Sequence, residues 1–306
     1  MTTKFASLFL RLALAIAFTV VPASAQQMSD PAFNTSVEKP AYSKGYPRVL
    51  FDEGHNNFHL TTGRYKPFAD LLTHDGYNVV ANRQSFSKGT LSSFKVLVIA
   101  NALGAEDMDD DGADLPAFTE AESDAVRDWV RGGGSLLLIA DHAPFGAAAQ
   151  VLAKRFEVEM SKGFVFDPNN SQPSAPSTLI FSRENKLLQD HPIVRGRDEK
   201  EIVSRVMTFT GQALKGPASA VAILKLADTA RDAPSRTSQE SVSVAGQAQG
   251  LAFKFGKGRV VMLGEAAMLS AQIAGPDKSP MGMNVPGSDN KQFALNIMHW
   301  LSGILK

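Results

Sequence analysis

Apolar residues in this chain fall into short unbroken runs, separated by amphipathic stretches with a helical period. The runs of strand length, which are apolar apart from Arg48 and Lys95, are residues 48–51, 94–100 and 136–139. A continuous apolar run of this length is typical of a parallel strand covered on both faces. The amphipathic stretches are residues 67–72, 119–130 and 147–156. Strands that alternate with helices predict an α/β fold with a mainly parallel central sheet and right-handed crossovers.

The second half of the chain has a weaker pattern. The strands predicted there are residues 202–209, 220–226, 251–255 and 259–264. The last two flank Gly256-Lys257-Gly258 and are expected to form a hairpin that supplies a final core strand. Residues 289–301 carry apolar side chains on one helical face and predict a last helix. The segments expected to be surface loops, because they are polar or rich in Pro, Ser and Asn, are residues 163–178 and 229–247.

The N-terminal residues predict a secretory signal peptide. Lys4 and Arg11 flank a basic region, residues 12–21 are apolar, and Ala23-Ser24-Ala25 offers a cleavage pattern. The apolar stretch is too short for a membrane span, which needs about 20 residues. We therefore expect residues 1–25 to be removed and the product to be periplasmic or secreted, without a membrane span.

After the predicted signal peptide, residues 26–46 are polar and predict an extended lead-in. No internal repeat or linker divides the rest, so residues 47–306 are predicted to form a single domain. Removing Lys4 and Arg11 leaves the 31 acidic residues nearly balanced by basic ones. This balance argues against nucleic acid as a partner. The chain has no cysteine, which excludes disulfides, thiolate metal sites and cysteine nucleophiles.

Ionisable side chains follow three of the predicted strands, at strand ends where ligands bind in open α/β sheets. Acids and imidazoles together suit general acid–base chemistry, so we predict a polar site there. Its predicted catalytic residues are Glu53, His55, Asp141 and His142. Its predicted ligand-binding residues are Asp52, Asn56, Asn57, His59 and Glu265.

A metal site is a second interpretation of the same residues. His55, His59 and Asp141 could hold a divalent metal if their two loops meet. The four-residue spacing of the histidines is not itself a sign of ligation, because Gly54 makes their segment a loop rather than a helix. The sequence does not identify the metal or any other cofactor.

The interpretation without function is that these residues form ordinary hydrogen-bonded networks. Asp52 would then cap a loop, and His142 would begin a helix. Glu265 would be a solvated acid. The remaining histidines, which we expect to be structural, are His74, His191 and His299.

The acidic run of residues 107–112 has aspartates at the first, third and fifth positions and glycine at the sixth, as in a calcium loop. The twelfth position is Phe118 rather than glutamate, so the closing ligand is missing, and an acidic surface loop is the preferred interpretation. The chain also lacks a Gly-x-Ser-x-Gly elbow, a P-loop and a dinucleotide fingerprint.

Four blocks of sequence carry a resemblance to known proteins. They are VLFDEGHNNFH at residues 49–59, WVRGGGSLLLIADH at 129–142, GRVVMLGE at 258–265 and FALNIMHWL at 293–301. Together they resemble a branch of the class I glutamine amidotransferase-like superfamily, composed of uncharacterised, often exported bacterial proteins. That branch is similar to domains of gliding-motility transporter subunits and intraflagellar-transport proteins. The resemblance covers about residues 47–303 and implies a flavodoxin-like three-layer sandwich.

Enzymes of that superfamily place a nucleophilic cysteine at the turn that here reads Ile139-Ala140-Asp141-His142, with a His-Glu pair elsewhere. This chain has neither, although Glu265 lies near the corresponding late strand. Amidotransferase activity is therefore excluded, whatever the fold implies.

Two classes of function follow. One is a hydrolase, metal-assisted or using general acid–base chemistry, in which Glu53 or Asp141 is the base and histidines position water or substrate. The other is a noncatalytic module whose polar loops bind a small molecule, a glycan or, as the transport-associated relatives imply, a protein partner. Convergence of His55, His59, Asp141 and His142 in one pocket would favour the enzyme.

Overall fold

The structure, a computed structural model, describes residues 27–306, so the predicted signal peptide lies outside the described residues. The strands are Met28–Ser29 (β1), Arg48–Asp52 (β2), Asn78–Asn82 (β3), Val96–Ala100 (β4), Ser135–Ile139 (β5), Glu159–Met160 (β6), Phe164–Phe166 (β7), Ser171–Gln172 (β8), Ala175–Ser182 (β9), Arg205–Phe209 (β10), Leu214–Lys215 (β11), Val221–Lys225 (β12), Arg231–Ala233 (β13), Val242–Ser243 (β14), Ala248–Phe255 (β15), Gly258–Leu263 (β16), Ala271–Ala274 (β17) and Ser279–Gly282 (β18).

The α-helices are Lys66–His74 (α1), Lys88–Leu91 (α2), Glu120–Gly132 (α3), Phe145–Lys154 (α4), Pro192–Arg195 (α5) and Asn290–Ser302 (α6). Two 3-10 turns lie at Glu199–Glu201 and Ala267–Leu269. The four longer helices confirm the helical stretches predicted from apolar spacing. The sequence Thr119-Glu120-Ala121-Glu122 predicts a capping box at the start of α3, and it is present. The Thr119 hydroxyl accepts from the Glu122 amide at 3.2 Å, and the Glu122 carboxylate accepts from the Thr119 amide at 3.1 Å.

A nine-stranded mixed sheet forms the centre, in the order β3-β2-β4-β5-β16-β15-β11-β6, with β12 also paired to β15. Strands β3, β2, β4, β5 and β16 are mutually parallel, whereas every pairing beyond β16 is antiparallel. The prediction of a mainly parallel sheet is therefore wrong. The early strands are joined through helices, but β15 and β16 are joined by a tight hairpin, which can only reverse the chain direction.

The hairpin itself confirms the sequence prediction. Its two-residue loop is Gly256-Lys257, and Gly256 has φ +58°, a conformation that glycine adopts without steric cost. The parallel half of the sheet therefore ends at β16, which brings Glu265 to the same edge as the ends of β2, β4 and β5.

Helices cover both faces of this sheet. In β2, Val49 and Phe51 pack in a core with α1 and α6, whereas Leu50 points to the other face and packs in a core with α3 and α4. Consecutive residues of a strand point to opposite faces, so the unbroken apolar runs of β4 and β5 serve both cores. This double coverage accounts for the continuous runs seen in the sequence.

Three small antiparallel sheets surround the centre. The segments predicted to be loops, 163–178 and 229–247, instead contribute short strands to them: β7 pairs with β13, β13 with β14, and β8 with β9. Apart from β9, which extends beyond the predicted loop, these strands are only two or three residues long, too short for a periodicity argument to detect.

The lead-in predicted to be extended is packed against the domain. Its strand β1 pairs with β17, and Phe33, Val37 and Tyr42 contact the core beside α1 and α6. Among residues 27–306, no helix has the length and apolar character required to span a bilayer.

The three histidines predicted to be structural have structural contacts. His299, fully buried, donates from Nε2 to Asp75 at 2.8 Å and links α6 to the end of α1. His191 caps α5 by accepting from the Ile193 amide. His74 contacts Thr35 at the surface.

Candidate functional site

The polar run after β2 divides into two groups. Asp52, His55 and Asn57 fold inward and form a buried network. Nδ1 of His55 lies 2.9 Å from both carboxylate oxygens of Asp52, and Nε2 lies 3.0 Å from Oε1 of Glu122 on α3. Asn57 donates to Asp52 at 3.1 Å and accepts from the His55 amide. Both ring nitrogens of His55 are thus occupied by carboxylates.

This network holds His55 as a cation. Burial alone lowers the pKa of His55, but the carboxylates of Asp52 and Glu122 outweigh it and raise the pKa above 6.5. Burial likewise opposes ionisation of Glu122, yet hydrogen bonds from His55 and Thr119 lower its pKa to about 2. The sequence identified Glu122 only as a helix cap, because nothing in the spacing of α3 shows that β2 ends beside it.

Two further predicted residues of this run point elsewhere. Glu53 accepts from the Thr61 amide and hydroxyl at 2.9 and 2.6 Å and lies 3.5 Å from Arg83. Asn56 is exposed and adopts φ +48°, a turn conformation that asparagine tolerates. Neither side chain reaches the pocket described next.

The second group of predicted residues converges on one pocket. A cavity of about 260 Å³ lies at the edge where the parallel strands end, and it is lined by His59, Asp141, His142 and Glu265. The sequence analysis did not select several other lining residues, among them the polar residues Arg64, Asn101, Arg236 and Gln272. Asn101 directly follows β4, so the strand-end rule, applied to polar as well as ionisable residues, would have selected it. Arg64, Arg236 and Gln272 lie in loops or a short outer strand, and no sequence signal marks them.

Asp141 and Glu265 bring two carboxyl groups together in this pocket. Glu265 is fully buried and accepts from the amides of Ala267 and Met268 at 2.6 and 2.8 Å. Burial, followed by the charge of Asp141, raises the pKa of Glu265 well above its ordinary value. Burial also raises the pKa of Asp141, against the opposing effect of His142. The two carboxyls therefore retain a proton at pH values where exposed carboxylates are ionised.

His142 is positioned by three neighbours. Its Nδ1 lies 2.8 Å from the carbonyl of Ala143 and must donate to it, which leaves Nε2 as an acceptor in the neutral ring. Arg236 donates to Nε2 at 3.0 Å, and the imidazole stacks on Phe164 at a centroid distance of 4.5 Å. The lone pair of His142 Nε2 thus faces Arg236 at the pocket wall.

His59 is neutral for a different reason. Burial, together with the charge of Arg64, lowers the pKa of His59 to about 3. The ring stacks on Tyr65 at 4.5 Å, and Tyr65 donates to the carbonyl of Ala266 beside Glu265. Among the described residues, Nδ1 of His59 has no hydrogen-bond partner.

A larger groove of about 930 Å³ lies beside the start of α6, but its charged groups are already paired. Lys39 binds Asp198, Arg197 binds Glu201, and Lys291 donates to two backbone carbonyls. The smaller pocket is therefore the better candidate, since two buried polar atoms of its lining residues, Nδ1 of His59 and Oε1 of Gln272, have no partner among residues 27–306.

The three residues proposed as metal ligands do not come together in the structure. Within residues 27–306, no group of three or more His, Asp or Glu side chains is placed to hold a metal ion. His59 and Asp141 line the pocket, but His55 lies in the separate network with Asp52 and Glu122. Residues 107–112 form a largely exposed turn in which the Asp107 amide donates to Asp110, and its carboxylates are not arranged as a cation site.

Comparisons with known proteins concern the fold. No protein-family model and no curated protein matches the sequence. Among solved structures, the mmIFT52 N-terminal domain is similar with a TM-score of 0.59 and 13% identity, over 84% of this chain and 97% of that one. A cytoplasmic protein from Salmonella typhimurium has a TM-score of 0.50 and 11% identity, over 84% and 99%.

A ThuA-like protein from Parabacteroides merdae has a TM-score of 0.45 and 12% identity, over 85% of this chain and 91% of that one. At such identities, likeness concerns the fold alone. The similarity to the mmIFT52 N-terminal domain is accordingly a similarity of fold.

Proposed function

We propose that this protein binds a small polar ligand in the pocket formed by His59, Asp141, His142 and Glu265. The observation that carries the proposal is the convergence of these four residues, from three separate strand ends, on one cavity. Its volume lies just below the range of about 300–1,000 Å³ for drug-sized ligands, so the ligand has about the size of one sugar ring.

A second candidate function, hydrolysis by general acid–base chemistry, is favoured by the state of the carboxyl groups. A protonated Asp141 would donate to a leaving group, and His142, once Arg236 releases Nε2, would take a proton from water. Both groups flank the same cavity, as such a reaction requires. Glutamine amidotransferase activity is not part of the proposal, because the chain has no cysteine.

Three sequence-based predictions belong to the same proposal. They are export to the periplasm or medium, a single domain over residues 47–306, and placement in the amidotransferase-like superfamily with its flavodoxin-like three-layer arrangement. Helices on both faces of the parallel strands support the last of these. A noncatalytic role towards a glycan or protein partner is the alternative to hydrolysis.

The test is a ligand screen by thermal shift and calorimetry, using neutral sugars, sugar acids, amino sugars and dicarboxylic acids. Hydrolysis is followed with p-nitrophenyl acetate and p-nitrophenyl glycosides. We expect a ligand whose affinity falls at least tenfold in Asp141→Asn and His142→Ala but not in the exposed control Asp228→Asn. A ligand that binds all variants equally would contradict the pocket; binding without turnover would leave only the noncatalytic function.

A further inference from the structure

Two buried polar atoms in the wall of the proposed pocket have no partner among residues 27–306. They are Nδ1 of His59 and Oε1 of Gln272, in side chains of residues that are 3% and 1% exposed. A buried polar group without a partner costs about 1–3 kcal/mol, and native proteins retain few of them. Both residues line the same cavity, so a ligand there can supply the missing bonds.

Each of these groups has a defined requirement. Nε2 of Gln272 donates to the Ser270 hydroxyl at 2.7 Å, which fixes the amide so that Oε1 is left as an acceptor. It therefore requires a donor from the ligand. The neutral ring of His59 offers one donor and one acceptor. Hydroxyl groups, which both donate and accept, satisfy both residues.

The charges of the pocket indicate an anionic group as well. Within the described part of the chain, Arg64 and Arg236 pair with no carboxylate. Arg64 uses only Nε, towards the Gln27 carbonyl at 3.2 Å, and its guanidinium lies 4.5 Å above the Phe58 ring. The remaining N–H donors of Arg64 form the planar fork that suits a carboxylate.

The number of charges decides between a carboxylate and a phosphate. Arg64 and Arg236 line the cavity as two cationic groups, and burial raises the pKa of both Asp141 and Glu265, which weakens their negative charge. A phosphate monoester carries nearly two negative charges at neutral pH, against one for a carboxylate, so Asp141 and Glu265 oppose it more strongly. A singly charged carboxylate is therefore favoured.

We propose that the ligand is a hydroxylated monocarboxylic acid of the size of one sugar ring, such as a uronic acid. Arg64 holds its carboxylate, while His59 and Gln272 bind its hydroxyl groups. This inference rests on the proposed ligand pocket and names the chemical class that the pocket takes.

The test is calorimetry of the purified protein with glucuronate, galacturonate, glucose, galactose, glucosamine and glucose 6-phosphate. At least one uronate is expected to bind tenfold or more tightly than its neutral parent and than the phosphate. Arg64→Gln should remove that preference, whereas Arg83→Gln, an exposed arginine outside the pocket, should retain it. Equal or tighter binding of the neutral, cationic or phosphorylated sugar would overturn the inference, as would an unchanged preference in Arg64→Gln.

Failure of the inference differs from failure of the pocket. If no sugar binds but another ligand binds with an affinity that Asp141→Asn lowers, the uronate class is wrong and the proposed pocket is retained. If no ligand from either panel binds, the proposed pocket and the proposed ligand class are both contradicted. The variant Gln272→Leu adds an independent readout. It should weaken uronate binding about tenfold without lowering Tm, because the Ser270 hydroxyl keeps its bond to the Ala267 carbonyl at 2.7 Å. Lower stability with unchanged binding would assign Gln272 a structural role instead.

Discussion

Asp141 and Glu265 each lie two residues beyond a paired position of neighbouring parallel strands, Ile139 on β5 opposite Leu263 on β16. The register of the sheet therefore brings the two carboxyls to equal height at its edge. Their mutual repulsion and burial follow directly from that register, and both effects raise the pKa of Glu265. Repulsion between two buried carboxyl groups destabilises the native state at neutral pH.

Removal of one of these charges should stabilise the protein in alkaline solution. The native pair retains a proton that the unfolded chain releases above about pH 4, so its contribution to stability falls as the pH rises. We expect Asp141→Asn to raise Tm at pH 8 by about 2–4 °C, the change that about 1 kcal/mol gives in a chain of this size. The gain should shrink as the pH falls towards 4, because protonation of the native carboxyls relieves their repulsion.

Thermal unfolding followed by circular dichroism from pH 4 to 8 measures this difference. Asp228→Asn, which changes an exposed aspartate, is the matched control and should follow the wild type at every pH. A gain that is the same at both ends of the range would show that charge repulsion is not its cause.

The His55 network should also lose stability as the pH rises, but over a higher pH range than the carboxyl pair. Because the pKa of His55 is raised, its stabilisation is full below pH 6.5, the unfolded value, and is lost as the pH rises through the higher native value. His55→Gln, which leaves Asp52 and Glu122 without their cation, should cost about 3–5 kcal/mol at pH 6. Urea unfolding at pH 6 and pH 9 checks this: the difference between variant and wild type should shrink at pH 9, and an undiminished difference would contradict it.

The buried pair of His299 and Asp75 should matter for stability alone. Asp75 also accepts from the Ala41 amide at 2.7 Å, so it connects the lead-in to α1 and α6. Asp75→Ala is expected to lower the free energy of unfolding by about 3–5 kcal/mol. Affinity for the pocket ligand, measured below the lowered Tm, should stay within twofold of the wild type; a tenfold loss would tie this pair to the site.

Gly264 should be required for the geometry of the pocket. A Cβ at this position would lie 2.3 Å from the backbone oxygen of Gln212, whose amide in turn donates to Gly264 at 2.7 Å. Gly264→Ala must therefore move the start of the Glu265 turn, at a cost of about 1–3 kcal/mol. Gly132→Ala is the control, since nothing lies within 4 Å of its Cβ and it ends a helix. In urea denaturation, the midpoint of Gly264→Ala should be lower than that of the wild type, whereas the midpoint of Gly132→Ala should not be lowered.

A chelator should leave the protein unchanged. The described residues contain no group of three metal-binding side chains, and His55 is bound to two carboxylates. We expect EDTA to shift Tm by less than 1 °C. Added calcium should have equally little effect, because the Asp107–Asp110 turn is closed by its own hydrogen bonds. A shift of several degrees in either experiment would restore the metal interpretation.

The elements that depend on interactions between residues close in sequence could be predicted from the sequence. The capping box of α3, the Gly256 turn and the unbroken runs of β4 and β5 each have a cause within a few residues. The direction of β12 and the short outer strands depend on which segments meet in space, and no periodicity encodes that. The parallel strands and the β15–β16 hairpin were thus predictable, whereas the other antiparallel pairings were not.

The candidate site shows the same division. The ends of neighbouring parallel strands must share an edge, which predicted that Asp141, His142 and Glu265 would meet. The step from Asp52 to His59 crosses a turn, and the side chains on its two sides point to different places. His55 therefore forms a hydrogen bond with Glu122, whereas His59 lines the pocket together with Arg64 and Gln272.

The attachment of the lead-in has a practical consequence for handling the protein. Gln27, whose carbonyl binds Arg64, stands at the mouth of the pocket, so a tag or surface linker joined there would compete with incoming solutes. The C-terminal residues lie at the opposite end of the parallel strands, where Arg259 at the start of β16 donates to the carbonyl of Leu305. Immobilisation through Lys306 leaves the pocket open to solvent.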